Sequence, residues 1–108
     1  MTTDEKITMA KSLMDNDAQA TDEVVMMYLS VAREVILRTK YPFGVPVYVY
    51  DVGESYEMLQ CQLAARYFYR FGADGEIAHS ENGISRNYAS PDDADLLAQI
   101  TPMAKVLT

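Results

Sequence analysis

TDEVVMMYLSVAREVILRTK, residues 21–40, carries its own start and stop signals for a helix. Thr21 is the expected N-cap, its hydroxyl placed to accept a free N–H of the first turn. Asp22 and Glu23 follow, where negative charge meets the positive end of the helix dipole. Val25, Tyr28, Leu29, Ala32, Val35 and Ile36 then recur at three- and four-residue spacing, the period of one helical face. Met26, Met27 and Leu37 widen that stripe, so contact on more than one side is expected. Arg38 and Lys40 sit at the negative end of the dipole. Tyr41 precedes Pro42 and is pushed out of the α region, which ends the helix.

Working outward, Thr2 with Glu5 three residues on reads as a capping box. It opens a helix over about 3–14 with Ile7, Ala10, Leu13 and Met14 on one face. Asp15-Asn16-Asp17 breaks it. Residues 42–53, PFGVPVYVYDVG, are not helical. Val47 and Val49 alternate with Tyr48 and Tyr50 as in a strand, but Pro46 weakens any place inside a sheet. The expectation is an extended connector lying against the body or a neighbouring subunit. A third helix is expected over about 55–71, with Tyr56, Leu59, Leu63, Tyr67 and Phe71 as its stripe, Ala64 and Phe68 beside it, and Gly72 in the left-handed position after its end. A fourth, over about 91–100, begins at Ser90-Pro91-Asp92-Asp93 with cap, proline and acids in order, and stops at Pro102.

The expected fold is therefore all-α. One domain over 1–108 holds a small bundle of four helices, two long and two short, with an arm at 74–89 and a tail at 101–108. The arm lies within GADGEIAHSENGISRNYASP, residues 72–91. Asn82-Gly83 favours a type I′ turn, whose central residues both need positive φ. Ile77, His79 and Glu81 stand on one side of it, Ile84, Arg86 and Tyr88 on the other. This predicts a protruding β-hairpin or extended loop before the last helix. An isolated hairpin is marginal in water, so the arm either docks on a partner or is a plain surface loop.

At 108 residues, a single core burying about 65% of the unfolded surface is within reach. The apolar fraction of 49% excludes global disorder. No apolar run is long enough to cross a bilayer, and the acidic start, Met1-Thr-Thr-Asp-Glu, is unlike a secretory signal. One cysteine, Cys61, falls mid-helix, where a small buried apolar role is the default. The net charge of −7 argues against a nucleic-acid binder, which needs clustered Lys and Arg. Charge is also uneven. Residues 1–23 and 74–108 are each acidic, while 24–40 are basic. In a homo-oligomer the acidic part of one subunit can face the basic part of the next; complementing helix dipoles explains the same pattern without any partner.

Catalytic constellations are missing from the sequence. There is no P-loop, Rossmann glycine pattern, HExxH or paired CxxC. Glu76, His79 and Glu81 offer metal donors without visible supporting groups. Ser80 and Ser85 lack a partnering base. Asp92, Asp93 and Asp95 are explained as dipole partners at a helix start. Of the eight tyrosines, Tyr28, Tyr56 and Tyr67 are expected in the core. Tyr48, Tyr50 and Tyr88 lie outside the strong helices and are interface candidates, since tyrosine suits half-buried contacts. No catalytic residue, cofactor or metal is expected.

The order of these elements has a counterpart. The string Gly72-Ala-Asp-Gly75-Glu76 followed by His79-Ser-Glu-Asn-Gly-Ile-Ser-Arg86 resembles the phage head-tail connector family. So do the aromatic helix before it, the kinked Tyr41-Pro42-Phe43-Gly44 exit and Leu96-Leu97-Ala98-Gln99-Ile100-Thr101-Pro102 after it. These are small helical adaptor proteins of tailed phages and prophages, also called DNA-packaging proteins, and the resemblance covers nearly the whole chain.

The resemblance implies a non-catalytic adaptor at the virion head-tail junction, made in the bacterial cytoplasm and without a membrane partner. Subunits would form a dodecameric ring below the portal protein and extend its DNA channel toward the stopper or tail-completion protein. DNA would pass without sequence-specific binding. The acidic balance then predicts a repulsive lumen, with channel-facing acids drawn from Asp4, Glu5, Asp15, Asp17, Asp92, Asp93 and Asp95. Ile100, Met103, Val106 and Leu107 are the expected portal-binding tail. Glu76, His79, Glu81, Asn82, Gly83, Arg86 and Tyr88 form the expected interface arm. Two alternatives stay open: a stopper or tail-completion protein, which is more often β-rich, and a small helical DNA-binding regulator. The second would start its recognition helix with Thr21-Asp22-Glu23, acids where phosphate contacts belong.

Overall fold

The two capped helix starts encoded in the sequence, at Thr2 and Thr21, are also starts in space. A computed structural model describes residues 1–72 and 93–102, and all regular structure among the described residues is helical. Helix α1 spans Thr3–Leu13, and its capping box is complete. The Thr2 hydroxyl accepts from the Glu5 N–H at 3.1 Å, and the Glu5 carboxylate accepts from the Thr2 N–H at 2.8 Å. Helix α2 spans Asp22–Lys40, with the Thr21 hydroxyl accepting from the Val24 N–H. Helix α3 spans Glu57–Phe71 and follows a short 3-10 turn at Glu54–Tyr56. Gly72, at φ +79°, ends it with its N–H on the Phe68 carbonyl. Helix α4 spans Ala94–Leu97.

Four contacts fix the packing directions. The Cys61 thiol lies 3.7 Å from the Lys6 carbonyl, and the Tyr69 hydroxyl donates to the Leu13 carbonyl at 3.3 Å. Thus α1 and α3 run parallel. The Tyr28 hydroxyl donates to the Gly72 carbonyl, while Lys40 sits 5.5 Å from the centre of the Tyr56 ring. Thus α2 runs antiparallel to both. Asp15 and Asn16 make the reversal between α1 and α2 in left-handed conformation, φ 57° and 51°, which short polar side chains tolerate better than others.

The core is one cluster. Val25, Tyr28, Val35 and Ile36 from α2 meet Leu59, Cys61, Leu63 and Tyr67 from α3, and Ile7, Ala10 and Met14 close it from α1. Tyr28 packs edge-on against Phe68, with ring centroids 6.4 Å apart. Burying side chains of this size contributes about 1.5–3 kcal/mol each. Val31 is buried as well. The stripe of α2 is broad because α1 and α3 cover it from two sides. Met26, assigned to that stripe from its spacing, is instead 47% exposed.

Two differences from the sequence reading matter. The connector after α2 contains turns rather than a strand, and most of it does not lie on the body. The last helix is a single turn where one from 91 to 100 was expected; Ser90, Pro91 and Asp92 fall outside the described residues. Its shortening has a local cause, since Ala98, Gln99 and Ile100 close turns through their N–H groups on Ala94, Leu96 and Leu97. The expected hairpin at 74–89 also lies outside the described residues.

Candidate functional site

The segment 93–102 is held to the bundle by a charged clasp and a polar one. Asp93 is fully buried. Its carboxylate accepts from both terminal nitrogens of Arg70, at 2.7 and 3.1 Å, and lies 3.4 Å from Arg66. Arg66 also grips Asp95 with two nitrogens, at 2.8 and 3.3 Å. Hydrogen bonding to Arg66 comes first among the causes that hold the Asp95 carboxyl below its usual range. The guanidinium of Arg70 lies 5.6 Å from the Phe71 ring centre and 5.9 Å from that of Tyr67. Arg66 and Arg70 are one turn apart on α3, so both face the returning chain.

Downstream, Ile100 is buried in the core cluster. Lys40 donates to the Thr101 carbonyl at 3.1 Å, and the Thr101 N–H donates to the Tyr56 hydroxyl at 3.4 Å. The chain therefore leaves the bundle at Gly72, pinned by Tyr28, and is pinned again from Asp93 to Thr101. These two fixed points frame the sequence that carries the expected arm.

Two of the expected positions, Asp93 and Ile100, are engaged within the subunit itself. Asp93 was expected among channel-facing acids. It is instead enclosed by two arginines within its own subunit. Ile100 was expected as part of a portal-binding tail. It is instead a core residue, because the single-turn α4 lays it against the bundle. Among the described residues, Asp4, Glu5, Asp15 and Asp17 do not converge. Asp4 and Glu5 sit at the start of α1. Asp15 and Asp17 sit beyond its end, a helix length of about 16 Å away at 1.5 Å per residue. Asp15 accepts from the Tyr69 hydroxyl at 2.9 Å and raises that phenol's pKa; Asp17 accepts from the Gln19 N–H at 2.8 Å. Asp92, Glu76, His79, Glu81, Asn82, Gly83, Arg86, Tyr88, Met103, Val106 and Leu107 lie outside the described residues.

The second notable surface is the connector tip. Val47 is 92% exposed, Tyr50 81%, Tyr48 76% and Phe43 69%. By contrast Val52, at the connector's end, is buried, and Asp51 next to it pairs with Lys6 at 3.0 Å. The connector is thus anchored at its end and apolar at its outward tip.

No group of three or more metal-ligating side chains occurs among the described residues, and no helix is long and apolar enough to cross a membrane. Burial pushes the Cys61 thiol pKa up, the wrong direction for a nucleophile. What sequence reasoning missed is the pair of arginines. Their spacing of four on α3 was visible, but the carboxylate they share was not.

Comparison with known proteins adds one match. The family model described as "Phage gp6-like head-tail connector protein" matches residues 5–103. No curated protein and no solved structure matches the chain.

Proposed function

The chain belongs to the family of phage gp6-like head-tail connector proteins, and from that membership we propose that it is a structural adaptor whose copies form a ring below the portal. Membership makes it a virion component of the head-tail junction, in contact with other head and tail proteins. The finer reading is that the ring has the twelve-fold symmetry of the portal, continues its DNA channel toward the stopper, and carries out no catalysis.

The observation that carries this reading is the connector tip. Phe43, Val47, Tyr48 and Tyr50 stand in solvent on a segment anchored by Val52 and Asp51. Those side chains make no sense for a free subunit and much sense for a heterologous contact that repeats around a ring. The wholly helical secondary structure of the described residues favours an adaptor over a β-rich stopper. Acids left exposed, Asp4, Glu5, Asp15 and Asp17, are the proposed source of a lumen that repels DNA phosphates; Asp95 and Asp92 remain in that proposed set. The arm from Glu76 to Tyr88 is proposed as the contact to the neighbouring subunit or stopper. Met103, Val106 and Leu107 are proposed as the portal-binding tail.

Light scattering of the purified chain with and without portal tests the ring. A complex with one adaptor per portal subunit is expected. The double variant Val47→Ser/Tyr48→Ser should keep the circular dichroism spectrum and lose co-assembly. Deleting residues 103–108 should weaken portal binding. Absence of any complex with wild-type protein would reject the adaptor reading, and full co-assembly of the double variant would reject the tip as its contact.

A further inference from the structure

The strap from Asp93 to Thr101 lies along α3 and runs against its direction. Asp93 meets Arg70 near the end of α3, and Thr101 meets Tyr56 just before its start. The helical span between Tyr56 and Arg70 measures about 21 Å at 1.5 Å per residue. Only one turn of the strap is helical, so side chains fix its place rather than a fold of its own. The carboxylates of Asp93 and Asp95 meet the guanidinium groups of Arg70 and Arg66, and Ile100 fills the core cluster. Removing the strap takes both carboxylates from that face of α3 and opens a hole where Ile100 sits.

The join to the rest of the chain is longer than this docking needs. Gly72 is held to the bundle by its N–H on the Phe68 carbonyl and by the Tyr28 hydroxyl on its own carbonyl. Asp93 is bonded to Arg70, two residues before Gly72, so the two points lie close together. Residues 73–92, twenty in number, separate them, where connections between helices of a bundle take about 2–8. Fully extended, that many residues reach about 65 Å, over twice the roughly 28 Å length of α2.

We infer that in the assembly the strap docks on a neighbouring copy of this chain instead of its own bundle, each copy passing its strap to the next. The receiving surface is the α3 face of Arg66 and Arg70 with the recess that holds Ile100. The contacts are the same in either arrangement, so exchange sacrifices none of them. Charge favours capture of an incoming strap, since Asp93 and Asp95 are opposite in sign to the arginines that receive them. In a lone subunit the tether keeps the strap on its own bundle; neighbours held side by side present the same surface at comparable effective concentration. Closure is built in. Straps passed one way around a closed ring leave no bundle unfilled, whereas an open row leaves one strap and one surface without a partner. The inference deepens the ring reading by naming a contact between adjacent copies, with residues 73–92 as the span that carries the strap across.

Charge reversal separates the two arrangements without portal. One variant of the full chain carries Asp93→Lys and Asp95→Lys, the other Arg66→Glu and Arg70→Glu. Each alone sets like charges together in its own clasp. In an equimolar mixture refolded from urea, only exchange between the two chains brings opposite charges together. The expected result is a species of two or more chains by light scattering in the mixture alone. Amide protection at Ala98, Gln99 and Ile100 should rise there by at least about tenfold over either variant. Asp93→Asn mixed with Arg70→Gln gives the same test with a smaller change, should charge reversal prevent folding, because exchange restores one native clasp of the two. A mixture that stays monomeric, with protection equal to the average of the separate variants, overturns the inference and leaves the strap a fixed part of its own subunit. Association without restored protection overturns it as well. Failure of the wild-type chain to bind portal would reject the ring reading and leave this result standing.

Discussion

Replacing Asp93 by asparagine tests the clasp with the least change of shape. The wild-type carboxylate is fully buried and receives hydrogen bonds from two arginines whose side chains remain 24% and 33% exposed. Removing one partner of a buried pair costs about 3–5 kcal/mol where the other charge is stranded. Here the arginines can rehydrate, and asparagine still accepts one hydrogen bond, so the expected loss is nearer about 1.5–2.5 kcal/mol. At about 4 °C per kcal/mol for a chain of this size, the melting temperature should fall by about 6–10 °C. Part of the loss should appear as local opening, because α4 is one turn long and can detach while α1, α2 and α3 stay packed. Urea denaturation gives the global number, and amide exchange of Ala98, Gln99 and Ile100 gives the local one. A double-mutant cycle with Arg70→Gln should show a coupling of about 1–2 kcal/mol. If Asp93→Asn lies within about 0.5 kcal/mol of wild type, the range of an ordinary surface substitution, and exchange at those amides does not change, the clasp argument is refuted.

Two further outcomes follow from ionisation. Hydrogen bonding to Arg66 depresses the Asp95 pKa below its ordinary 3.8, so its contribution is present above that value and is lost as pH falls through the lower folded value. Amide protection in α4, taken relative to the intrinsic exchange rate at each pH, should therefore fall below about pH 4, and Asp95→Asn should abolish the part of the fall assigned to this group. Cys61 is fully buried and its thiol pKa is raised by desolvation. Its modification by a disulfide reagent at pH 8 should be at least about a hundredfold slower in native than in urea-unfolded protein, and a fast native reaction would contradict its burial.

The local parts of this fold were legible because their causes are local. Thr2 with Glu5, and Thr21 ahead of Asp22, satisfy N–H groups within the same turn, so the starts of α1 and α2 could be placed without knowing any neighbour. The stripes of α2 and α3 named most of the core for the same reason. The exposed tyrosines 48 and 50 were also distinguishable, since they sit where no helical face could bury them. Met26 shows the limit of that reasoning. Periodicity gives the direction a side chain leaves the helix, but not how far the neighbouring helices extend to cover it.

The chain alone determined an all-helical secondary structure for its described part, the caps, the break at Pro42 and a net charge of −7. The tertiary structure decided which charges remain available. Asp93 reads as an ordinary helix-start acid until Arg66 and Arg70, distant in sequence, close over it. Lys6 reads as a surface lysine until Asp51 meets it across the connector, and Gln60 reads as a polar face residue until α2 covers it. The physical reason is common to all three. Helical periodicity is a short-range property of one segment, whereas desolvation and ion pairing depend on which segments become neighbours after the chain has packed.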